Sequence, residues 1–371
     1  MGKKAAALGE PGRSVSAPSH RRHATARALG WALAMSGFAA AVAAAAPVRS
    51  MAAGPVPTTM LAAAVDHGGG PDVLGLRRLP VPKLKAGDVL IAVRSAGVAV
   101  WDAAERRHPG RGTHFPLVLG SDGEGTVVAT GPGVRGFRVG ERVYGVASGR
   151  SGFYAQYAVT RAQDVSAIPR GIGLTEAGIL AVSGLSALQG IDDVLQLKPA
   201  ETLIIHGASG AVGTLAIQFA KLRGARVLAT VTSAAGAALA TRLGADAVVD
   251  GRTGDILAAA KRFAPHGVDA VLALAGGPGL ERCIDALRRD GRGRVAYLFG
   301  IEPNPRPRFG MRMTVYSFVA GRREFERLNA AVEAAHAAVP IAAEYPLTEA
   351  AAAHRRLRAG HLLGKIALLV R

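Results

Sequence analysis

One stretch of the chain constrains its fold more than any other, because an apolar strand, a glycine-rich turn and an amphipathic helix follow one another directly. The stretch reads ETLIIHGASGAVGTLAIQFAKLRGARVLATV and begins at Glu201. Its turn, residues 208–213, keeps the spacing G-x-G-x-x-G with alanine in the first position. This order of strand, turn and helix is typical of dinucleotide-binding βαβ units. The helix carries its apolar residues at helical spacing on one face: Val212, Leu215, Ala216, Phe219 and Ala220.

The residue types in this turn suit a bound diphosphate. Gly210 lets the backbone approach a pyrophosphate, Gly213 lets the helix pack closely on the strand, and the unpaired N–H groups at the start of the helix face the anion. A tight turn without a ligand is the alternative. The predicted cofactor-binding residues of this segment are Ala208, Ser209, Gly210, Val212 and Gly213.

The end of the second strand indicates which dinucleotide binds. An NAD site places a carboxylate on the ribose 2′-hydroxyl about 20 residues after the turn, whereas a 2′-phosphate favours cationic or hydroxyl donors. The segment from Thr214 to Ala245 contains no Asp or Glu, while Thr232, Ser233 and Arg252 fall within reach. The sequence therefore favours NADP(H), although these hydroxyls could simply end a strand or cap the next helix.

Strands and helices alternate after this motif at about 25-residue spacing, which is typical of βαβ units and a parallel sheet. A charged helix over 322–336 and a terminal strand LGKIALLV follow, and we expect that strand to rejoin the first part of the chain. Before residue 174, short strands bounded by Gly or Pro predict a mostly antiparallel unit. The predicted strands are Asp88–Val98, 124–129, 141–146, Thr202–His206, Arg226–Val231, 247–249, 268–274 and 294–299.

The first 58 residues differ from the rest, with seven basic residues against Glu10 alone. Nineteen uncharged residues, 28–46, follow the basic SHRRHATAR. This segment could be a signal peptide, a disordered leader or the product of a start assigned upstream of Met60. We expect a cytoplasmic protein, with export as the alternative, and no stable membrane association of the mature domain.

Charge and cysteine content exclude other classes. The net charge is +18, but beyond the leader the basic residues are mostly scattered arginines without aromatic interleaving, so no nucleic-acid partner is expected. Cys283 is the single cysteine of the chain. It cannot support a disulfide framework, a cysteine-based zinc finger or an iron–sulfur cluster.

From Leu61 onward the chain resembles the medium-chain dehydrogenase/reductase superfamily, in its zinc-independent, quinone oxidoreductase-like (enoyl reductase-type) branch. The resemblance rests on segments in the family's order, which include GDVLIAVRSAGV, LVLGSDGEGTVVATGPGV, FRVGERVYGV, GFYAQYAV, LKPAETLIIHGASGAVG and AAAAHRRLRAGHLLGKIALLV. It implies an α/β fold in which a Rossmann-type, doubly wound parallel sheet is inserted into a GroES-like, mostly β substrate domain. The implied division is a leader at 1–58, substrate domain at 59–183 and 319–371, and NADP-binding domain at 184–318. Homodimers are usual in the family.

The resemblance also allows the zinc ligands of related enzymes to be sought by position. Val98, Ala99 and Val100 stand where a ligand cysteine would follow the AAG-type segment, and Gly120-Ser121-Asp122 replaces Gly-His-Glu. The third ligand falls near Val182. Alkyl and hydroxyl groups cannot supply the three protein ligands that zinc needs, so no metal is expected.

The resemblance gives further candidate residues. Asp102 matches the aspartate of the family's Asn-Pro-x-Asp pattern, whose first two residues are replaced here. Trp101 is a candidate substrate wall or an ordinary packing residue, and Tyr144 a candidate proton donor or a buried structural tyrosine. Gly276 and Gly300 end parallel strands, where cofactor contacts usually collect, and turn geometry is the alternative reason for a glycine there.

The expected activity is an NADPH-dependent reductase of a small-molecule quinone or α,β-unsaturated carbonyl. Hydride adds to the electrophilic carbon, and the charge spreads onto the conjugated oxygen until solvent or a weak acid protonates it. The protein mainly positions both reactants in a dry cleft. The alternatives are an enoyl reductase of a fatty-acid or polyketide pathway and a non-catalytic NADPH-binding sensor.

Overall fold

The structure is a computed structural model, and it describes residues 55–149, 151–308 and 310–371. The predictions for residues 1–54, including the signal-like segment, lie outside the described residues. None of the helices in the described ranges combines the length and the apolar character that a bilayer crossing requires.

The first part of the described chain is mostly β. β1 pairs with β2 and β4 in a small antiparallel sheet, and β3 is the central strand of a larger one, with β5 and β7 as antiparallel neighbours. A short helix, α1 (Val100–Arg107), directly follows β3. The strands are β1 (Thr59–Val65), β2 (Gly75–Pro80), β3 (Asp88–Val98), β4 (Leu117–Val118), β5 (Asp122–Thr130), β6 (Arg142–Val146), β7 (Tyr157–Arg161) and β8 (Val165–Ala167).

The middle of the chain forms a parallel sheet with helices between its strands. Within the described ranges the sheet has six strands in the order β11-β10-β9-β12-β13-β14, and every neighbouring pair is parallel. The chain order reverses between β9 and β12, which creates the crevice where such sheets bind ligands. The elements are α2 (Leu174–Gly178), α3 (Ala181–Gln189), β9 (Thr202–His206), α4 (Ala211–Leu222), β10 (Arg226–Val231), α5 (Ala234–Arg242), β11 (Ala247–Asp250), α6 (Ile256–Phe263), β12 (Ala270–Ala273), α7 (Pro278–Asp285), β13 (Arg294–Leu298) and β14 (Arg312–Tyr316).

The last part of the chain returns to the first. It comprises α8 (Arg322–Ala335), β15 (Ile341–Pro346), α9 (Ala350–Ala359) and β16 (Lys365–Leu369). β16 pairs antiparallel with β3, so the terminal strand joins the larger sheet of the first part, while α8 packs against α3 and α4. The fold prediction of a parallel sheet inserted into a mostly β domain is confirmed, and the domain boundaries stay a prediction.

Local sequence explains why α4 begins and packs as it does. Its predicted apolar face is buried in the structure, since Leu215 is 1% exposed and Phe219 is 0% exposed. β9 is buried along its whole length, as expected of a central parallel strand covered on both faces. The strand and the helix therefore hold the turn between them firmly in place.

Candidate active site

The turn between β9 and α4 is shaped by its backbone. Gly207 has φ of +86°, a conformation that residues with a Cβ atom adopt only with strain. The N–H of Ala208 donates to the carbonyl oxygen of Thr230 at 3.0 Å, which ties the turn to β10. α4 then begins at Ala211, and its first backbone amides have no partner within the helix.

The two later glycines of the motif have different surroundings. A Cβ atom placed on Gly213 would lie 2.5 Å from the carbonyl oxygen of Gly207 and 2.7 Å from backbone atoms of Ala208. Gly213 is therefore required by the close packing of α4 on its own turn. A Cβ atom on Gly210 would meet only the oxygen of Gly207, at 3.6 Å, which is ordinary contact. The protein itself does not require a glycine at 210, so the free space there fits a ligand.

The loop between α9 and β16 lies against this turn. The N–H of Gly364 donates to the carbonyl oxygen of Ser209 at 2.9 Å, and Gly364 pairs with Gly210 in a parallel bridge. The Nδ1 atom of His361 lies 3.1 Å from Oγ1 of Thr232. The C-terminal segment thus reaches both the turn between β9 and α4 and the end of β10, which sequence reasoning did not anticipate.

A cavity of about 670 Å³ opens in front of the turn. It runs along the carboxyl ends of β9, β10, β12 and β13 to the end of β3, where the parallel sheet meets the mostly β domain. Three Lys or Arg side chains line it, and none of its lining residues in the described part of the chain is Asp or Glu. These side chains are Arg252, Arg282 and Lys365.

Most predicted cofactor residues lie on this cavity. The residues that line it are Ser209, Gly210, Val212, Gly213, Thr232, Arg252 and Gly276. Three others do not: Ala208 is buried within the turn, Ser233 caps α5 by accepting from the N–H of Gly236, and Gly300 follows β13 outside the lining set. Direct contact of any of these residues with a coenzyme stays a prediction.

Sequence reasoning missed Arg282, which lines the cavity from α7. Its Nη2 atom lies 3.4 Å from the carbonyl oxygens of Gly251 and Arg252, and its buried Nε atom has no hydrogen-bond partner. The positive charge of Arg282 adds to burial in lowering the pKa of His206 to about 4. His206 also lines the cavity, and its Nδ1 atom lies 2.8 Å from Oγ1 of Thr230.

Of the three candidate catalytic residues, the structure brings only Trp101 to the cavity. The indole Nε1 of Trp101 and the hydroxyl of Ser183, also in the lining, are buried and have no hydrogen-bond partner. A buried donor without a partner is uncommon in a folded protein and needs an explanation. Ser183 was not predicted, because nothing in the pattern of α3 separates it from neighbouring core residues.

Asp102 lies behind the cavity wall instead of in it. Its carboxylate accepts hydrogen bonds from the N–H of Ala99 at 2.9 Å and from the N–H of Ser121 at 3.0 Å. The side chain is 0% exposed. Burial raises the pKa of Asp102 to about 6, while the hydrogen bond from Ser121 and the charge of Lys365 act in the opposite direction.

Tyr144 also lies away from the cavity lining. Its hydroxyl donates to Oδ1 of Asn329 at 2.6 Å, and its ring packs edge-on against Phe325. Burial raises the pKa of the Tyr144 hydroxyl well above its ordinary value. The structure therefore agrees with the alternative that Tyr144 is a buried structural tyrosine. Its hydroxyl does not line the cavity.

A buried ion pair closes the inner end of the cavity. Lys365 is 4% exposed, and its Nζ atom lies 2.7 Å from both carboxylate oxygens of Asp122. Asp122 also accepts from the N–H of Val182 at 3.1 Å, at the start of α3. The pair therefore joins the terminal strand, the first domain and the helix that carries Ser183.

The positions of the family's zinc ligands hold no ligand set. Asp122 is engaged by Lys365, and Val98, Ala99 and Val100 offer only alkyl side chains. Across the residues that the structure describes, no group of three or more His, Cys, Asp or Glu side chains could hold a metal ion.

Two family descriptions match separate parts of the chain. Residues 85–170 match the alcohol dehydrogenase GroES-like domain, and residues 243–368 match zinc-binding dehydrogenase. Among curated proteins, the quinone oxidoreductase of Sus scrofa is 30% identical over 324 residues, which cover 81% of this chain and 95% of that protein. The 2-haloacrylate reductase of a Burkholderia species is 27% identical over 333 residues, covering 84% of this chain and 99% of that protein.

Solved structures are similar over the same part of the chain. A protein described as an NAD-dependent alcohol dehydrogenase has a TM-score of 0.77 at 29% identity, and covers 84% of this chain and 100% of its own. A mycobacterial protein complexed with NADPH has a TM-score of 0.75 at 29% identity, with the same coverage. The chain belongs to the medium-chain dehydrogenase/reductase superfamily as a quinone oxidoreductase-like member, and is an oxidoreductase that uses a nicotinamide coenzyme.

Proposed function

We propose that the protein is an NADPH-dependent, zinc-independent oxidoreductase that transfers hydride to a quinone or an α,β-unsaturated carbonyl. The observation that carries the proposal is the cavity: it adjoins the glycine-rich turn at the sheet's crevice and is lined by basic side chains without carboxylates. A coenzyme with three phosphate groups is the complementary ligand.

The proposed position of the coenzyme follows from where its diphosphate would bind. The free space at Gly210 and the first amides of α4 would receive the diphosphate, because an anion there meets unpaired N–H donors and the positive end of the helix dipole. Bound NADPH would supply a hydride from its nicotinamide ring. The ribose of the adenosine half would lie near Thr232, at the end of β10, where dinucleotide-binding folds recognise it.

Two arginines in the cavity lining favour NADP(H) over NAD(H). Arg252 and Arg282 line the cavity beside Gly251, and His361 approaches Thr232 from the C-terminal loop. A 2′-phosphate would gain charge-assisted hydrogen bonds from the two arginines, whereas a 2′-hydroxyl has no carboxylate to bind in this lining. The relatives named above include both NAD- and NADPH-associated proteins, so this preference rests on the chain's own residues.

The other end of the cavity suits a conjugated carbonyl. Val98, Ala99 and Val100 form an apolar wall beside Trp101, which limits water near the reacting atoms. Trp101 and Ser183 also line the cavity, and their unpartnered donors are buried. We propose that a side-chain rotation on binding turns these donors to the acceptor's oxygen as charge develops on it. A quinone or enone delocalises that charge, so two hydrogen-bond donors replace the Lewis acid that a simple alcohol or ketone reaction requires.

The edge of the parallel sheet supports a homodimer. Within the described ranges β14 pairs with β13 on one side only, and Val315 on this strand is 49% exposed. Nearby Val319 is 63% exposed. An exposed, apolar edge strand is a template for pairing with a second copy. We place the enzyme in the cytoplasm, with export through residues 1–58 as the alternative.

An acceptor panel tests the proposal. The full-length protein is mixed with NADPH or NADH, and loss of reduced coenzyme is followed with benzoquinones, naphthoquinones, 2-alkenals, 2-cyclohexenone and a 2-enoyl thioester. We expect rapid oxidation of NADPH with a quinone or enone and a clear preference over NADH. Turnover restricted to the thioester would favour the enoyl reductase alternative. NADPH binding without oxidation by any acceptor would favour the sensor.

A further inference from the structure

Four buried polar side chains connect α9 to α1 behind the cavity wall. They lie on three separate parts of the chain, and each is at most 1% exposed. We call them the buried chain: Arg106, His354, Tyr154 and Asp102.

The hydrogen bonds of the buried chain run in one direction. Nε of Arg106 donates to Nδ1 of His354 at 3.2 Å. His354 Nε2 lies 3.3 Å from the hydroxyl of Tyr154, which donates to Oδ2 of Asp102 at 3.2 Å. Because a guanidinium can only donate, Nδ1 of His354 must accept, and we assign the proton of the neutral ring to Nε2. Each member then donates to the next, and the carboxylate accepts at the end.

The surroundings favour this protonation pattern. Burial and the positive charge of Arg106 lower the pKa of His354 to about 4, which keeps the imidazole neutral at pH 7. Arg106 also donates to the carbonyl oxygen of Gly69, so its charge is held at the far end of the chain. The charges of Arg106 and Asp102 are thus separated by two neutral groups, and both are buried.

The end of the buried chain lies directly beneath the substrate wall. Asp102 accepts from the N–H of Ala99, the residue that precedes α1, and from the N–H and the hydroxyl of Ser121, which directly precedes β5. Ala99, Val100 and Trp101 all line the cavity. The position of the first turn of α1 therefore depends on the carboxylate, and the orientation of the carboxylate depends on the donors behind it.

We propose that the buried chain is a positioning unit, which fixes the first turn of α1 and thereby the place of Trp101 beside the acceptor. Asp102 acts through Trp101 and does not touch the reactants. The inference rests on the proposed function and extends it with three residues, Arg106, Tyr154 and His354, that lie outside the cavity lining.

Tyr154→Phe tests the proposal, because it removes the central hydroxyl and keeps the ring. We expect kcat/KM for the acceptor to fall about tenfold to 100-fold, since small displacements of a positioning group are costly. The dissociation constant of NADPH should stay within about twofold, because the coenzyme turn lies elsewhere. Tyr316→Phe is the matched control: it removes another buried tyrosyl hydroxyl, one that donates to the carbonyl oxygen of Ser186 at 2.9 Å, and it should leave acceptor kinetics unchanged.

A second variant tests whether the members act together. His354→Asn keeps an oxygen acceptor for Arg106 but does not reach Tyr154. If the chain is one unit, the double variant with Tyr154→Phe loses no more activity than either single variant. If the two residues acted independently, the fold-losses of activity in the two single variants would multiply in the double variant.

Two optical titrations separate this inference from the proposed function. In a Trp31→Phe background the emission of Trp101 reports its surroundings without any turnover. Protonation of Asp102 should change this emission with a midpoint near pH 6, and Tyr154→Phe should move the midpoint upward because the charged form loses a donor. The charges of Lys365 and Asp122 also affect the pKa of Asp102. Both residues are the same in the wild type and in Tyr154→Phe, so they do not cause a difference between the two midpoints.

The outcomes are distinct. A wild-type protein without turnover would refute the proposed function, and the emission titration would still decide the positioning role. If Tyr154→Phe and Tyr316→Phe have the same acceptor kinetics and the same emission midpoint, the buried chain does not position Trp101. If Tyr154→Phe loses as much NADPH affinity as acceptor turnover, the positioning role is also overturned, because such a result would mean a general loosening of the fold.

Discussion

Replacing Gly210 with valine should strongly weaken coenzyme binding while leaving the protein folded. The backbone of Gly210 is extended, with φ of −80° and ψ of 177°, so any residue can adopt it. The nearest atom to a new Cβ would be the oxygen of Gly207 at 3.6 Å. Valine is a poorer N-cap residue than glycine, which lowers the free energy of unfolding. It also restricts the unfolded chain more than glycine does, which raises the free energy of unfolding. We therefore expect the free energy of unfolding to change by no more than about 1 kcal/mol.

The cost to binding is much larger. The valine side chain would fill the space in front of the first amides of α4, where the diphosphate is proposed to lie. Each charge-assisted hydrogen bond that is lost is worth about 1.5–3 kcal/mol, so losing two raises the dissociation constant by at least about 100-fold.

Gly213→Ala provides the matched comparison, because its Cβ would lie 2.5 Å from the oxygen of Gly207. This clash involves backbone atoms that cannot move independently, and we expect a stability loss of about 1–3 kcal/mol. Thermal unfolding without coenzyme and a fluorescence titration with NADPH measure the two effects. An unchanged NADPH affinity in Gly210→Val would refute the reasoning, and so would a Gly213→Ala protein as stable as the wild type.

Other predictions address charge, burial and chemistry at the same cavity. Arg282→Gln should weaken NADPH binding about tenfold or more and NADH binding little, because one charge-assisted phosphate contact is lost; an equal loss for both coenzymes would contradict it. The pKa of His206 is lowered to about 4, so an unfolded chain binds the proton first and the free energy of unfolding falls as pH drops from 6.5 towards 4, by about 3 kcal/mol from this group. In urea unfolding, His206→Asn should lose correspondingly less free energy of unfolding than the wild type between pH 7 and pH 4. Equal losses in the variant and the wild type would argue against a buried, neutral His206. Trp101→Phe should lower kcat for the acceptor about tenfold with NADPH affinity unchanged, and an unchanged kcat would remove the indole N–H from the mechanism. Dialysis against a strong chelator should leave NADPH oxidation unaffected; a loss restored by zinc would overturn the metal-free assignment.

Local sequence predicted the elements whose form depends on neighbouring residues. β3, β9 and β10 begin and end at the predicted residues, because each holds a short apolar run and a glycine stands within two residues of one of its ends. The other predicted strands differ by one or two residues at their ends. The strand Arg312–Tyr316 was not predicted, because it is short, follows an irregular proline-rich segment and is only partly buried.

The candidate site could be predicted only where one segment forms it. The turn from Ser209 to Gly213 lies on the cavity because strand, turn and helix are adjacent in the chain. Arg282, His361 and Lys365 reach the same cavity from α7 and from the C-terminal loop and strand, and their arrival depends on sheet order and register. The sequence predicted that the terminal strand rejoins the first part of the chain, but no spacing in it predicts that β16 pairs with β3.

Side-chain burial explains the remaining differences. Asp102 and Tyr144 match positions where a polar side chain could serve chemistry, yet both are 0% exposed and bonded to other groups of the protein. Their motifs specify residue type and position along the chain. The direction of each side chain is set by packing with distant elements, such as Asn329 on α8 for Tyr144.

Isotope transfer tests the central claim most directly. NADPH carrying deuterium on either face of nicotinamide C4 is incubated with the full-length protein and 2-cyclohexenone, or the α,β-unsaturated carbonyl that reacts fastest, in the presence of chelator; a quinone is not used because its product exchanges the label with solvent. The account predicts that one coenzyme face delivers a single deuterium to the electrophilic carbon of the product. Oxidised coenzyme with no deuterium in the product, or transfer that depends on added zinc, would contradict it.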